Sequence, residues 1–129
     1  MEQLEKRQLI DDQVVDESGY VLCPKSLRGT IEGSHIVPLH RNFGYGRVRL
    51  LALRNGATNG LVDSPQQSVR LNSDGELQLT GRQLRHLGLH DGYRRVAFVD
   101  AHDHTEIWQG EKYFDYLKRY MRSMNRSGQ

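Results

Sequence analysis

Two histidines flank an aspartate in the second half of the chain, and their spacing suggests a metal-binding interpretation. His102, Asp103 and His104 separate two apolar segments. Side chains two apart on a strand point the same way, and imidazole is a good ligand for zinc or nickel. Two histidines do not complete a metal site, however, and the run is predicted to form a hairpin turn. We therefore interpret it as an exposed polar turn and expect no metal or other cofactor.

Catalytic side chains show no recognisable pattern. The chain has no Gly-x-Ser-x-Gly elbow, no P-loop and no spaced Cys/His metal set. Asp100, His102 and Asp103 could form an acid–base group, but the sequence identifies no nucleophile or pocket for them. The single cysteine, Cys23, lies in an apolar run before Pro24 and is predicted to be a buried strand residue. We expect neither an enzyme nor a small-molecule substrate.

Charge is nearly balanced over the 129 residues, with Lys+Arg 18 against Asp+Glu 16 and a formal net charge of +2. This balance neither identifies nor excludes a nucleic-acid binder, because the distribution of charge matters more than its sum. Arginine outnumbers lysine, which favours bidentate contacts to phosphate, base edges or carboxylates. No apolar stretch approaches the roughly 20 residues that span a bilayer. A soluble, cytoplasmic protein with no membrane partner is expected.

Two similar β units follow one another along the chain. Residues 95–108 can be laid without gaps over residues 49–62, each with an apolar run, a polar turn and a short apolar pair. A second matching piece lies upstream of each segment. A turn at residues 16–19 is followed by Leu27-Arg28 in the first unit, and a turn at residues 72–75 is followed by Leu84-Arg85 in the second. The repetition predicts an internal duplication, with one compact body or two small repeats that share a core.

The predicted organisation has four parts. They are an N-terminal arm (1–12), a first repeat (13–67), a second repeat (68–117) and a basic C-terminal helix end and tail (118–129). Residues 35–46 are predicted to be an irregular loop, and Asn55-Gly56 a hairpin turn. Three helices are predicted: a short one at 25–28, one at 82–87 with Thr80 as its cap, and one at 111–124 with an apolar stripe. Trp108 is expected in the core, the alternative being a subunit interface.

The order of these elements resembles the AbrB-like swapped-hairpin fold, and two such units in one chain resemble the MraZ family of bacterial transcriptional regulators. The best match runs from Gly75 to Tyr116. Within it, 84–89 resembles the family's Leu-Arg…Gly-Leu helix, and 96–99 followed by 106–108 resembles its closing hairpin. The resemblance implies a mainly β fold with short helices, in which two swapped-hairpin repeats close into a pseudo-two-fold β-barrel.

The resemblance also implies a function. It indicates a sequence-specific DNA-binding transcriptional regulator, a repressor similar to the regulator of the division and cell-wall gene cluster. Such a protein would bind double-stranded DNA in the nucleoid and form a homo-oligomer, in this family a ring. Arg28 and Arg85 match the family's DNA-contact positions. Lys25 and Arg82 lie within one helical turn of them, and Arg70 lies on the strand that enters the second turn, so all five are candidate DNA contacts.

One position departs from the family pattern. The family's turn reads Asp-x-x-Gly-Arg, and its arginine is a main DNA contact. Here Tyr20 holds that position in the first unit and Glu76 holds it in the second. A glutamate that faced a phosphate would be repelled. Two alternatives therefore stay open: an oligomeric protein-interaction module that has lost DNA readout, and an AbrB-like antitoxin whose C-terminal segment binds a toxin.

Overall fold

The computed structural model describes residues 6–43, 46–54 and 67–127, and within these ranges the chain is mainly β. The strands are β1 (Gln8–Val14), β2 (Tyr20–Leu22), β3 (His35–Asn42), β4 (Arg47–Arg54), β5 (Gln67–Ser68), β6 (Glu76–Gln78), β7 (Arg95–Asp100) and β8 (Thr105–Gln109). The helices are α1 (Arg28–Ile31), which continues a 3-10 turn at Lys25–Leu27, α2 (Gly81–Leu87) and α3 (Gly110–Ser127). No helix in this described part has both the length and the apolar character needed to cross a bilayer.

Six strands form one antiparallel sheet in the order β1-β7-β8-β4-β3-β5. At its centre, β4 lies beside β8 with Leu51 opposite Ile107. The two outer strands pair with one neighbour each among the described residues, so the sheet is open. The predicted closed barrel is therefore wrong. The sheet has a hydrophobic cluster on either side of it, and covering both faces buries its apolar residues without closure.

The two hydrophobic clusters differ in character. One is mostly aliphatic and contains Leu51 and Ile107 of the central strands together with Val21, Leu77 and Leu87. The other is aromatic, and α3 contributes Tyr113 and Tyr116 to it. Trp108 lies at its centre, with no exposed surface, against Phe43 at 4.9 Å between ring centroids and against both tyrosines. The expectation that Trp108 belongs to the core is confirmed.

A second, two-stranded ribbon joins the two halves of the chain. In it β2 pairs antiparallel with β6, with Val21 opposite Leu77, and both side chains are buried in the aliphatic cluster. Backbone hydrogen bonds continue the pairing at each end. The Leu79 N–H donates to the Gly19 carbonyl at 2.8 Å, and the Cys23 N–H donates to the Gly75 carbonyl at 3.0 Å. Each half thus supplies one strand to a shared ribbon.

The turns that precede β2 and β6 have the same hydrogen bonding. The Asp16 Oδ1 accepts from the backbone amides of Ser18 and Tyr20, both at 2.9 Å. The Asn72 Oδ1 accepts from the corresponding amides of 74 and 76 at 3.0 and 2.9 Å. Each turn ends in a glycine with positive φ, +88° at 19 and +79° at 75. A Cβ at Gly19 would lie 2.6 Å from the Leu79 carbonyl oxygen, so the close approach of these two backbone segments also requires glycine at this position.

Two predictions near the N-terminus and in the first half are wrong. The predicted arm ends earlier than expected, because Gln8–Val14 is strand β1 and pairs with β7. Its register shifts between Leu9 and Asp11, and this irregularity hides the two-residue alternation of a strand. The predicted loop at 35–46 contains the eight-residue strand β3. Pro38 is tolerated there because β5 pairs only with His35 and Ile36, so no strand among the described residues pairs with the other edge of β3 at the proline.

Other local predictions have mixed outcomes. The helices α2 and α3 and the strands β7 and β8 are confirmed close to their predicted bounds. The gapless alignment of residues 49–62 with residues 95–108 does not pair structurally equivalent strands. Arg49 lies in β4, which pairs with β8, whereas Arg95 lies in β7, which pairs with β1. The strand that was expected to carry Arg70 into the second turn is reduced to a single bridge between Leu71 and Leu77. The Asn55-Gly56 turn lies outside the described residues.

Candidate nucleic-acid interface

Helix α2 is fixed at both ends by its own sequence. Thr80 and Gln83 form a reciprocal capping box, in which the Gln83 N–H donates to Thr80 Oγ1 at 3.1 Å and the Thr80 N–H donates to Gln83 Oε1 at 2.8 Å. Gly88 ends the helix in the left-handed conformation with φ 76°. Leu87 is buried in the aliphatic cluster, while Arg82 and Arg85 are exposed. The helix therefore presents two guanidinium groups from a fixed backbone.

His86 attaches α2 to the β3–β4 hairpin. Its Nε2 lies 3.1 Å from the Leu39 carbonyl oxygen and 3.0 Å from the Leu50 carbonyl oxygen. Because a carbonyl only accepts, Nε2 carries a proton and donates to this pair. The His86 ring also contacts the ring of His40 edge-on, with 5.2 Å between centroids. The helix and the hairpin thus share one surface.

The hairpin adds its own cations to that surface. His40 lies opposite Arg49, and Asn42 lies opposite Arg47, in the β3–β4 register. Directly opposite residues of an antiparallel pair point to the same face. All four of these side chains are exposed. We call the six residues Arg82, Arg85, His86, His40, Arg47 and Arg49 the basic surface.

The electrostatics of the basic surface favour an anion. The pKa of His40 is lowered, first by desolvation and then by the charges of His86, Arg47 and Arg49. Residues 33–62 and 77–90, which contain the whole surface, include no aspartate or glutamate. Within the described residues, none of the four arginines of the basic surface takes part in a salt bridge. Their positive charge is therefore not neutralised by the protein's own described carboxylates.

The other predicted contact residues lie at the opposite end of the ribbon. Arg28 is half-buried, its Nε donates to the Cys23 carbonyl at 3.1 Å, and its guanidinium packs against Gly75. Lys25 and Arg70 are exposed nearby. A carboxylate lies near these cations, because Glu32 Oε2 accepts a hydrogen bond from the amide of Leu71, the neighbour of Arg70, at 3.0 Å. The structure thus brings Lys25, Arg28 and Arg70 around the second turn and places Arg82 and Arg85 elsewhere.

Four residues of the basic surface were not found from the sequence, since His86, although it lies in the predicted helix, was not among the predicted contacts. His40, Arg47 and Arg49 belong to a hairpin of which half was predicted to be a loop. A usable signal was present, because the long acid-free run around them contains several cations. That signal becomes specific only when the fold places the hairpin beside α2.

A buried charged network occupies the other face of the sheet. Glu106 has no exposed surface, and its Oε1 accepts from Arg7 Nε at 3.2 Å and from Trp108 Nε1 at 2.9 Å. Its Oε2 lies 2.9 Å from His104 Nε2, and His104 Nδ1 lies 2.5 Å from Asp103 Oδ1. The exposed-turn prediction therefore holds for 102 and 103 but is wrong for His104, whose side chain is 4% exposed. Among the described residues, no three potential ligands are grouped to hold a metal ion.

The network shifts the titration of its members. Hydrogen bonding to Glu106 raises the pKa of His104, with a further contribution from Asp103 against the opposing effect of burial. Burial acts against ionisation of Glu106, but the hydrogen bonds from His104 and Trp108 and the charge of Arg7 outweigh it and lower the pKa of Glu106. The ionised, hydrogen-bonded form of the network is therefore the stable one.

Stability should accordingly fall on both sides of a window of pH. The contribution of His104 is complete below its ordinary pKa of 6.5 and is lost as the pH rises through the raised value. The contribution of Glu106 is present above its ordinary pKa of 4.5 and is lost as the pH falls through the lowered value. Urea unfolding measured across pH should show this fall above 6.5 for the native chain and a flatter profile for His104→Gln. Parallel profiles would exclude His104 as the titrating group.

Similarity to known proteins does not identify the chain. Comparison with protein-family models and with curated proteins gives no match. The function proposed below is supported by the contacts and charges of the described residues.

Proposed function

We propose that this protein is a sequence-specific double-stranded DNA-binding transcriptional regulator, a repressor, and that it contacts DNA through the basic surface. The observation that carries the proposal is a group of four exposed arginines and two histidines on one helix and one hairpin, in which no arginine forms a salt bridge with a described carboxylate. Phosphate contacts supply most of the affinity of such proteins, and arginine matches phosphate and base edges bidentately. Metal, catalytic groups and a small-molecule ligand have no part in this mechanism.

The shape of the basic surface suits duplex DNA. The major groove admits a helix or a two-stranded β-ribbon, and the basic surface contains one of each held together by His86. Arg82 and Arg85 lie one helical turn apart on α2 and would follow the sugar–phosphate backbone. Arg47 and Arg49 alternate on β4 and therefore point the same way, toward the same strand of DNA.

We further propose that the fold consists of two AbrB-like swapped-hairpin units, in line with the resemblance to the MraZ family. Three observations support it: the shared β2–β6 ribbon, the identical hydrogen bonding of the two turns, and the sheet order. That order reads symmetrically about the β4–β8 pair, with β7 matching β3 and β1 matching β5. A duplicated unit whose halves exchange strands would give this arrangement.

The residues that stand in place of the family's turn arginine support the proposal that this protein contacts DNA at other positions. Glu76, in the place of a family arginine, accepts a hydrogen bond from Asn72 Nδ2 at 3.0 Å within its own turn. In this proposal Arg85 is a contact shared with the family pattern, Arg82 lies one helical turn from it on α2, and the hairpin arginines are additional. The resemblance predicts contacts by Lys25, Arg28 and Arg70 instead, whereas the present proposal places the duplex on the basic surface alone. Arg28 would have to leave the Cys23 carbonyl to reach a phosphate.

A second candidate is the protein-interaction module, or an antitoxin whose C-terminal segment binds its partner. The observation that favours it is the exposure of three apolar side chains of α3, namely Phe114, Met121 and Met124. Co-purification with an unrelated protein, abolished by substitutions on α3, would support this candidate over DNA binding.

The DNA proposal is tested by fluorescence anisotropy with a labelled duplex from the protein's own upstream region. If four arginines each neutralise one phosphate, the logarithm of the binding constant should fall with the logarithm of salt concentration with a slope of about −3.6. That slope corresponds to roughly a 100-fold loss of affinity between about 0.05 and 0.2 M salt. A scrambled duplex serves as the control for sequence specificity. The absence of binding at low salt would contradict the proposal.

A further inference from the structure

Phosphate contacts by the arginines of the basic surface would not by themselves give sequence specificity. Contacts to phosphate fix the position of a protein on DNA, whereas hydrogen bonds to base edges in the major groove distinguish one base pair from another. With the four arginines assigned to phosphates, the face that carries them needs a further side chain that can read a base.

Asn42 places an exposed amide on that face. It lies opposite Arg47 in the β3–β4 register and two residues after His40, so its side chain points to the same side of the hairpin as theirs. On α2, His86 is engaged with two backbone carbonyls of the hairpin, and Gln83 forms the capping box. The amide of Asn42 is therefore the group best placed on the hairpin to meet a base.

The end of the hairpin that carries Asn42 is a two-stranded ribbon. Strand β8 pairs only with residues 50–53 of β4, and β5 pairs only with residues 35 and 36 of β3. Among the described residues, no third strand therefore lies beside 40–42 or 47–49. The major groove is about 12 Å wide and admits a ribbon of two strands. Asn42 thus lies on the part of the sheet that can enter the groove.

The other face of this end of the hairpin is fixed in the core. Phe43, which follows Asn42, is buried, and its ring centroid lies 4.9 Å from that of Trp108 and 5.4 Å from that of Tyr116. Val48, on the facing strand, is buried in the same aromatic cluster. The backbone at Asn42 is therefore held in place before DNA binds, which reduces the entropy lost on binding.

We infer, on the basis of the proposed DNA-binding function, that Asn42 is a specificity-determining residue and that it recognises adenine in the major groove. Its side-chain amide offers an oxygen acceptor and an NH₂ donor. The major-groove edge of adenine offers the complementary pair, with N7 as acceptor and the N6 amino group as donor. Guanine presents two acceptors there, and the Asn42 carbonyl oxygen would face one of them. The longer side chains of Arg47 and Arg49 extend from the same ribbon to phosphates.

A combined protein and DNA substitution tests the inference by fluorescence anisotropy. Asn42→Ala should lower the affinity for the upstream duplex about 5- to 100-fold and leave the affinity for a scrambled duplex and the salt slope unchanged. In 7-deazaadenine a C–H group replaces N7, while base pairing is retained. Placed at one adenine of the upstream duplex after another, it should weaken binding of the native chain at the contacted position and leave binding of Asn42→Ala unchanged there.

Two control variants separate base reading from charge and from folding. Arg49→Ala should weaken binding to the upstream and scrambled duplexes alike and reduce the salt slope by about 0.9. Gln13→Ala removes an amide from β1, at the other edge of the sheet, and should change neither affinity. Circular dichroism checks that each variant is folded.

The outcomes distinguish this inference from the proposed function. If Asn42→Ala weakens both duplexes equally or neither, or if the native chain does not respond to 7-deazaadenine at any position, Asn42 does not read adenine, although the DNA-binding proposal stands. If the native chain binds neither duplex at low salt, both the inference and the proposed function are wrong.

Discussion

Replacing Arg47, Arg49 and Arg85 together by alanine is expected to lower the affinity for duplex DNA about 10²- to 10³-fold at about 0.1 M salt. Each neutralised phosphate contributes about 0.9 to the salt slope, so three lost contacts remove about 2.7 from it. The fold should be retained, because all three side chains are exposed and none takes part in a salt bridge among the described residues. Anisotropy titrations at several salt concentrations, with thermal melts of the same samples, measure both properties.

The matched control removes exposed cations from the other end of the ribbon. Lys25→Ala combined with Arg70→Ala lowers the net charge by two without touching the basic surface. We expect at most a few-fold loss of affinity and a nearly unchanged salt slope, because long-range charge alone is screened at this ionic strength. If this control loses as much affinity as the triple arginine variant or more, DNA binds at the second turn and not at the basic surface.

The second large effect concerns stability. Glu106→Leu should lower the free energy of unfolding by about 3–5 kcal/mol, the usual cost of removing one partner of a buried ion pair. The substitution removes the buried carboxylate that accepts from Arg7 Nε, whose side chain is 8% exposed, and from the Trp108 indole N–H. Arg7 also lies over the Phe43 ring, so its displacement would disturb the aromatic cluster. Urea unfolding of the native chain and the variant at one pH measures the difference.

A double-mutant cycle separates the lost charge from lost packing. Adding Arg7→Met to Glu106→Leu removes both charges and should recover part of the lost stability. Glu111→Gln, in the exposed first turn of α3, is the control and should change stability by less than about 1 kcal/mol. If Glu106→Leu costs no more than that control, the network does not stabilise the fold as its geometry indicates.

Elements specified by local chemistry could be predicted from the sequence. Thr80, Gln83 and Gly88 define both ends of α2 without reference to the rest of the chain. The stripe through Tyr113 and Leu117 defines α3 in the same way. The strand β7 was predicted because its apolar run is uninterrupted and a polar turn follows it.

Features that depend on distant pairing could not be predicted. The basic surface joins α2 of the second half to a hairpin of the first, and tertiary contacts such as those of His86 bring them together. Pro38 made β3 look like a loop in the sequence, although within the described residues no strand pairs with the edge of β3 on which the proline lies. The His-Asp-His run is visible in the sequence, but the hydrogen bond of its partner Glu106 with Arg7 is not, because these two residues are far apart along the chain. The burial of the Glu106 carboxylate therefore cannot be predicted from the residues around it in the sequence.

Nuclear magnetic resonance of the labelled chain, titrated with the upstream duplex, tests the central claim most directly. The basic surface predicts that the largest amide shifts fall within α2 and the β3–β4 hairpin. It also predicts that a bound phosphate raises the depressed pKa of His40. Residues 25–28 and 70–76 should move little. Shifts centred on those residues, or a His40 titration that the duplex leaves unchanged, would contradict DNA binding through this surface.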